Sequence, residues 1–358
     1  MKLKYRHPIN HRIRTHLNQR LIPVLGGFML MALAVQAQDA PRLYVSSLQT
    51  NNFVVGMKAE ASGLFSYDSD TTWTHYGWHK IRDFGISYDP GNPNFIFLAC
   101  GNGALRTLDG GKTWRVTNGW KITEVQDVTI DPFHPDTAFI ATAYGVWRTF
   151  NKGGSWDSAS VGLNDGYNGP VPNQFYVQTI QIDQSKGNYI LTGGEGGIHR
   201  STDAATHWKK VGPAEAEVRD IQQSDSDPQL WLAGTEDHGV LITHDAGQTW
   251  HYVKGRISKE TIYAVAIDPQ NPDNMAAAGY QTGVYISTNG GKTWSRRTKG
   301  LTMLDFHALI FDPVHKKRIW AGSVGKGVFM SDDLGRTWHY KGLNGAEIWD
   351  MVFIGGTR

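Results

Sequence analysis

The sequence predicts an all-β fold, a seven-bladed β-propeller of four-stranded antiparallel blades. An eight-residue phrase ending in tryptophan occurs seven times, and successive Trp residues lie 41, 42, 52, 42, 44 and 44 positions apart. Each interval holds short apolar runs separated by turn residues, and a repeat of this length and composition is typical of propeller blades. The seven phrases are Ser66–Trp73, Thr107–Trp114, Thr149–Trp156, Ser201–Trp208, Thr243–Trp250, Ser287–Trp294 and Ser331–Trp338.

Residues 1–37 are predicted to be a signal peptide that precedes the fold. A basic stretch between Lys2 and Arg20 is followed by the apolar run 21–35 and by the small-residue exit Val35-Gln36-Ala37. The apolar run is about 15 residues long, which is short for a membrane span. We therefore expect cleavage after Ala37, a mature chain without a transmembrane segment, and export to the periplasm or the medium. A leader retained as an anchor is the alternative.

The net charge of the mature chain differs from that of the whole sequence. The leader contains 6 of the 35 Lys and Arg residues and none of the 33 Asp and Glu residues, so the mature chain carries a net charge of −4. The basic isoelectric point belongs to the leader, and nucleic acid is not an expected partner. Cys100 is the only cysteine, so the chain folds without an internal disulfide. We expect a monomer that needs no cofactor and no metal.

Each repeat unit contains the signals of four strands. In the third unit, Val128–Ile130 alternates apolar and polar residues, Asp131-Pro132 turns, and Phe139–Thr142 forms a second strand. Gly145 then opens a third strand, and the phrase makes the turn into the fourth. Alternating runs bounded by Asp-Pro and Gly are signals of strands and hairpins.

The two ends of the chain are predicted to complete one blade together. Arg42–Ser46 has a second-strand pattern with no first strand before it, and Ile348–Phe353 is a first-strand pattern with no second strand after it. Joining them gives a blade of one C-terminal and three N-terminal strands and a propeller domain over residues 41–358. Such closure removes the exposed edges of an open sheet.

The phrase resembles the Asp-box, or BNR repeat, of sialidases, the sortilin ectodomain, xyloglucan-degrading hydrolases and the photosystem II assembly factor family. The resemblance covers essentially the whole mature chain. It implies that the phrases lie on the face opposite the ligand site and that their Asp residues are structural. The Asp or Asn can accept hydrogen bonds from the turn, and the Gly at the fifth position can adopt a positive φ. Asp70 and Ala205 stand where Gly is expected, so we expect looser turns there.

Polar and aromatic residues begin the innermost strands, at the end of the propeller that we call the mouth. Aligning these strands on the Asp-Pro turn gives an outer ring and an inner ring, with mostly apolar residues beyond them. Such a pattern suits a ligand site. The outer ring is Phe84, Gln126, Gln178, Arg219, Tyr263, His307 and Trp349, and the inner ring is Gly85, Asp127, Thr179, Asp220, Ala264, Ala308 and Asp350.

Two functions follow from these rings. A binding module or assembly scaffold would hold a glycan, peptide or protein with contacts from Asp127, Arg219, Asp220, Tyr263, His307 and Trp349. The aspartates could instead cap strand starts by bonding the neighbouring backbone. Single-propeller length, the export signal and the absence of a sialidase Arg set favour binding, and exposed Trp78 and Trp120 suit sugars or protein partners equally.

A carbohydrate-active enzyme is the alternative function. Glycoside hydrolysis requires two carboxyl groups that flank the scissile bond. Asp127, Asp220 and Asp350 could provide them together with Glu195 or Glu236 from the loops. A polysaccharide lyase would use Tyr263 or His307 as the base beside Arg219.

Overall fold

The computed structural model describes residues 40–49, 61–79, 83–120, 122–163 and 175–356, and the predicted signal peptide lies outside them. Over these ranges the chain is all-β, with seven antiparallel sheets of four strands each and a single 3-10 turn at Arg256–Lys259. This confirms the predicted seven-bladed propeller. None of the helices in the described part of the chain has the length and hydrophobicity to cross a bilayer.

The strands follow one another blade by blade. Blade 1 contains β1 (Arg42–Gln49), β2 (Gly63–Ser69), β3 (Thr72–Tyr76) and β28 (Ala346–Ile354). Blade 2 contains β4 (Asp83–Asp89), β5 (Asn92–Cys100), β6 (Gly103–Thr107) and β7 (Arg115–Val116). Blade 3 contains β8 (Val125–Ile130), β9 (Ala138–Thr142), β10 (Gly145–Thr149) and β11 (Asp157–Ser158). Blade 4 contains β12 (Val177–Ile182), β13 (Ile190–Gly194), β14 (Gly197–Ser201) and β15 (Lys209–Lys210).

The remaining three blades have the same order. Blade 5 contains β16 (Val218–Gln223), β17 (Trp231–Thr235), β18 (Gly239–Thr243) and β19 (His251–Tyr252). Blade 6 contains β20 (Ile262–Ile267), β21 (Met275–Gly279), β22 (Gly283–Ser287) and β23 (Ser295–Arg297). Blade 7 contains β24 (Phe306–Phe311), β25 (Ile319–Ser323), β26 (Val328–Ser331) and β27 (His339–Tyr340).

The two ends of the chain close the ring in blade 1, as predicted. The C-terminal strand β28 pairs with β1 along its full length, from Arg42 opposite Ile354 to Gln49 opposite Ala346, with one irregularity between Ser46 and Ser47. The innermost strand of this blade therefore comes from the C-terminus and the other three come from the N-terminus.

The core consists of apolar layers between adjacent blades. The seven buried clusters found in the described residues each join two neighbouring blades, and each includes or packs against the Trp of one Asp-box. Trp338 and Trp208 are nearly inaccessible, and their indole N–H groups donate to main-chain carbonyls of the preceding blade, Arg297 at 3.0 Å and Ala159 at 2.6 Å. The repeated Trp thus packs between each blade and its neighbour.

The Asp of the box organises the turn before the fourth strand. In blade 5, Asp245 Oδ1 accepts the N–H groups of Gln248 and Thr249, both at 2.9 Å, and Oδ2 accepts the Thr249 hydroxyl at 2.6 Å. Thr243 donates its hydroxyl to the same carboxylate at 2.7 Å and accepts the Gly247 N–H at 3.1 Å. These bonds satisfy the main chain of the turn, which is the structural role that the resemblance implied.

The fifth position of the box has a positive φ in every copy, with or without glycine. Ala205 adopts φ 60° and donates its N–H to Ser201 at 2.9 Å, the same bond as in the glycine-containing copies, so the expectation of a looser turn there was wrong. Asp70 has φ 49° in a tighter hairpin, where Ser69 pairs with Thr72 and the fourth strand is five residues long. The first copy differs from the others because its turn is shorter.

The register places the Asp-boxes opposite the mouth. In blade 2, the start of β4 at Asp83 pairs with the end of β5 at Cys100, which pairs with the start of β6 at Gly103. The strand β6 then runs away from the mouth and enters the Asp-box after Thr107. The loops at the starts of the innermost strands and the loops between second and third strands therefore share one face.

Deletion of residues 346–358 should abolish cooperative unfolding, or lower the melting temperature severely, because it removes β28 and exposes edges in blade 1. Deletion of residues 355–358 alone is the matched control and should leave the melting curve unchanged. Thermal melts followed by circular dichroism compare the two. A normal melt for the longer deletion would show that closure is not required.

Replacement of Asp245 by Ala should lower the free energy of unfolding by about 1 kcal/mol, because turn donors lose their acceptor. The exposed Asp225 in the same blade is the control, and its replacement should have no measurable effect. Urea unfolding of both variants gives the two values. Equal stability of Asp245→Ala and the wild type would contradict the structural role of the box.

Candidate functional site

An arc of half-buried aromatic residues lines the mouth. The Trp349 ring lies 4.9 Å from that of Phe84 and 4.6 Å from that of His307, and the Tyr263 ring meets His307 edge-on at 4.8 Å. These residues lie near the mouth ends of the innermost strands of blades 1, 2, 7 and 6. The structure thus brings together three of the predicted ligand contacts, Trp349, His307 and Tyr263, on the face opposite the Asp-boxes.

Arg219 continues this arc into blade 5. Its guanidinium lies 5.9 Å from the Tyr263 ring centroid and its Nη1 donates to Gln178 Oε1 at 3.3 Å. The same group is held by two carboxylates, Glu217 at 2.9 Å and Glu236. Both carboxylates therefore compete with any anionic ligand for this guanidinium.

The two glutamates meet because their backbones are paired. Glu236 follows β17, and its N–H donates to the carbonyl of Glu217, just before β16, at 2.9 Å. Burial raises the pKa of Glu217, and the nearby Glu236 adds to the increase while Arg219 opposes it. Sequence reasoning found Glu236 but missed Glu217. The sequence signal that could have identified Glu217 is its position two residues before Arg219, since alternate residues of an extended segment share a face.

A cleft of about 1220 Å³ opens beside the arc. It is lined by loop residues ahead of blade 2, by the inner and outer strands of that blade, and by the starts of the innermost strands of blades 1 to 5. Trp78, which is 53% exposed, stands at the blade 2 side. The lining includes Trp78, His79, Phe84, Cys100, Leu105, Val116, Glu124, Gln126, Tyr176, Gln178, Arg219 and Trp349.

The three inner-ring aspartates tie blades together. Asp350 in blade 1 accepts the N–H of Ile86 in blade 2 at 2.7 Å, and Asp127 in blade 3 accepts the N–H of Ile180 in blade 4 at 2.8 Å. Asp220 in blade 5 repeats this bond to blade 6, through the N–H of Val265 at 2.8 Å.

The second oxygen of each aspartate is also engaged. Asp127 and Asp350 each accept the N–H of the next residue in their own strand at 2.7 Å, and Asp220 accepts the side-chain amide of Gln222 at 3.0 Å. The three carboxyl groups therefore join neighbouring blades through hydrogen bonds, one residue further along the innermost strands than the outer ring.

Small residues in the neighbouring blades make room for these links. The inner-ring positions of blades 2, 4 and 6 are Gly85, Thr179 and Ala264, and a β-carbon added to Gly85 would lie 2.8 Å from Asp127 Oδ1. The glycine at the blade 2 position is thus required by packing against Asp127, and Thr179 in blade 4 donates its hydroxyl to the same carboxylate at 3.1 Å.

The environment of these aspartates favours their neutral form. Each keeps a small accessible surface, yet desolvation by the surrounding protein raises the pKa of Asp127 to about 7 and that of Asp220 to about 6. Burial also raises the pKa of Asp350 well above its usual range, and the charges of Asp127 and Asp220 add to this increase. The main-chain donors oppose these shifts without cancelling them.

His307 has a carboxylate neighbour in addition to the arc, and Glu195 and Trp120 lie elsewhere at the mouth. His307 Nδ1 lies 3.2 Å from Glu347 Oε1, within blades 7 and 1. Glu195 donates its main-chain N–H to the carbonyl of Tyr176 at 3.3 Å, which places it at the blade 4 side of the mouth. Trp120 is 86% exposed on the loop between blades 2 and 3. The described ranges hold no group of three or more His, Cys, Asp and Glu residues arranged for a metal ion.

The comparisons with known proteins agree with this architecture. Residues 83–355 match the family model described as photosynthesis system II assembly factor YCF48, and the chain belongs to this family of Asp-box propellers. No curated protein sequence matches the chain.

Solved structures share the fold at low sequence identity. The GH74 enzyme NkGH74 from Niastella koreensis is 19% identical with a TM-score of 0.66, over 80% of this chain and 52% of its own, so this chain spans about half of its length. YCF48 bound to D1 peptide is 19% identical with a TM-score of 0.53, over 72% of this chain and 82% of its own. YCF48 from Cyanidioschyzon merolae is 15% identical with a TM-score of 0.54, over 73% of this chain and 84% of its own.

The raised pKa of Asp127 makes a prediction about stability and pH. A carboxyl group with a folded-state pKa of about 7, against 3.8 ordinarily, stabilises the fold below pH 4 and loses that contribution as the pH rises through 7. From pH 5 to pH 8 the wild type should therefore lose stability relative to Asp127→Asn, on the order of 2–3 kcal/mol. Urea unfolding at the two pH values measures it.

The exposed Asp225→Asn variant is the control for this experiment, and it should follow the wild type at both pH values. A stability difference between wild type and Asp127→Asn that does not change with pH would show that Asp127 titrates in the folded protein as it does in the unfolded chain.

Proposed function

We propose that this chain is a binding module that holds an extended polypeptide segment in the cleft at the mouth without transforming it. The cleft carries this proposal, because it is large, open at the surface and lined by aromatic faces beside polar groups such as Gln126 and Gln178. Aromatic residues supply most of the binding energy in such contacts, and amide side chains can pair with a peptide backbone.

Membership of the assembly factor family supports a peptide as the ligand. The structure of one relative, YCF48 bound to D1 peptide, shares this propeller fold and covers most of this chain. We propose the same class of ligand here, a segment of another protein, with a glycan as the competing choice.

Carbohydrate cleavage remains the alternative function, favoured by the fold shared with GH74 enzymes. The arrangement of the candidate groups supports it less. Asp127, Asp220 and Asp350 hold main-chain N–H groups with their carboxyl oxygens, and hydrolysis needs two carboxyl groups that face the scissile bond. Arg219 is bound by two glutamates, so it does not offer a lyase a free cation for uronate.

The location and state of the protein are further parts of this proposal. The basic leader, the apolar run and the Val35-Gln36-Ala37 exit support export, to the periplasm or beyond the cell. We propose that the mature propeller acts there as a monomer. Export is tested by fractionation and by determining the N-terminal residue of the exported protein.

Selection of a phage-displayed library of random twelve-residue peptides on the purified protein tests the binding function. Replacement of Trp349 or Tyr263 by Ala should lower the affinity for a selected peptide by about tenfold or more, since central aromatic residues dominate binding. Phe133→Ala, an exposed aromatic on the Asp-box face, is the control and should bind normally. Fluorescence polarisation measures the affinities.

Turnover assays separate the alternative from the proposal. Release of reducing ends or of unsaturated uronates from a panel of polysaccharides by the wild type, lost in Asp127→Asn or Asp220→Asn, would replace the binding function by an enzymatic one. We expect no turnover. Failure to select any peptide would contradict the proposed peptide ligand.

A further inference from the structure

We propose that the mouth selects a polypeptide segment with two features, a basic residue that lies at the blade 5 end of the cleft and an apolar residue that lies at the blade 2 end. This inference rests on the proposed function and names the chemistry of its partner. It follows from a difference in composition between the two ends of one cleft.

Carboxylates outnumber cations among the described residues at the blade 5 end. Arg219 is the basic residue of this group, and Glu217 and Glu236 together exceed its charge by one. About a quarter of the Arg219 side chain and a third of each glutamate side chain remain accessible, so this charge faces solvent at the mouth.

Two more carboxylates act on Tyr176, which lines the cleft. Burial is the largest cause of the raised pKa of its phenol, and Arg219 opposes the increase. The negative charges of Glu124, Glu195 and Glu217 add to it. Glu124 and Glu195 therefore add negative charge near Tyr176, beside the cluster of Arg219, Glu217 and Glu236.

This arrangement favours a cation over an anion. A guanidinium or ammonium group from a ligand can balance the excess negative charge of Glu217 and Glu236 and lie against the Tyr176 or Tyr263 ring. A ligand carboxylate would have to displace Glu217 or Glu236 from Arg219 and would meet the remaining negative charge. Charge complementarity of this kind determines specificity more than affinity.

The described side chains at the blade 2 end are mostly apolar, with His79 and Asn102 as polar members of the lining. Trp78 stands over it, Phe84 and Leu105 form its walls, and Val116 on the outermost strand is 47% exposed. The thiol of Cys100 donates a hydrogen bond to the buried Asp83 at 3.0 Å. Burial raises the pKa of that thiol well above its usual value, so Cys100 adds an uncharged surface. An apolar side chain is the group that fits this end.

The composition of the peptides selected from the twelve-residue library is the first test. We expect Arg or Lys, separated by a few positions from an aromatic or aliphatic residue. A consensus without basic residues, or one rich in Asp and Glu, would overturn the inference while leaving the binding function intact. Failure to select any peptide would instead count against the proposed function on which the inference rests.

Substitution within a selected peptide is the second test. Replacement of its Arg by citrulline keeps the shape and removes the charge, and should weaken binding to the wild type by about tenfold. The loss should shrink at high salt, because salt screens accessible charges. Unchanged affinity of the citrulline peptide would contradict the assigned charge.

A reversal of preference is the sharpest test on the protein side. The double variant Glu217→Gln and Glu236→Gln leaves the charge of Arg219 without its two carboxylates, so it should lose the preference for Arg and bind a matched Glu peptide more tightly than the wild type does. Glu215→Gln, on the same loop but exposed, is the control and should keep the wild-type preference.

Folding of the double variant is checked by its melting curve. If it does not fold, Glu195→Gln replaces it, with the same expected loss of preference by a smaller factor. A folded variant that still prefers the Arg peptide by the wild-type ratio would show that these glutamates do not determine the charge preference.

Discussion

Pairing of the two chain ends in blade 1 is the constraint on which the rest of the structure depends. Only when β28 lies beside β1 does its Asp350 reach the main chain of blade 2, and only then does Trp349 meet Phe84 on one side and His307 on the other. The mouth is therefore a product of closure, because its central tryptophan comes from the last strand of the chain.

The two faces of the propeller divide the tasks of stability and recognition. Tryptophan and the Asp-box side chains secure the turns on one face with short local bonds such as that of Thr249 to Asp245. The other face has half-buried rings, clustered glutamates and an open cleft. Desolvation raises the pKa of the inner-ring aspartates below this face, so these side chains are less stable in their charged form.

Much of the fold could be predicted because its signals are local and repeated. Seven phrases with a closing Trp determine the number of blades, and the unmatched strand patterns at 42–46 and 348–353 predicted the closure. The turn at Ala205 could not be predicted, since a hydrogen bond from its N–H to Ser201 holds a φ that the residue type alone disfavours.

Prediction of the site was limited by contacts between blades. Alignment of the strands placed Arg219, Tyr263, His307 and Trp349 in one ring, and the structure brings these side chains into sequence around the mouth. Alignment could not show that Asp127 bonds to Ile180 in the next blade, or that Glu217 meets Glu236, because both depend on register and spacing across the ring.

The central claim is that the mouth holds a polypeptide segment in one orientation along the cleft. A crystal structure of the protein with a selected basic peptide tests this most directly. The account predicts density between Trp78 and Arg219, with the basic side chain beside Glu217 and Glu236 and an apolar one beneath Trp78. Density at the Asp-box face, or a peptide that lies in the cleft with its basic group against Val116, would contradict it.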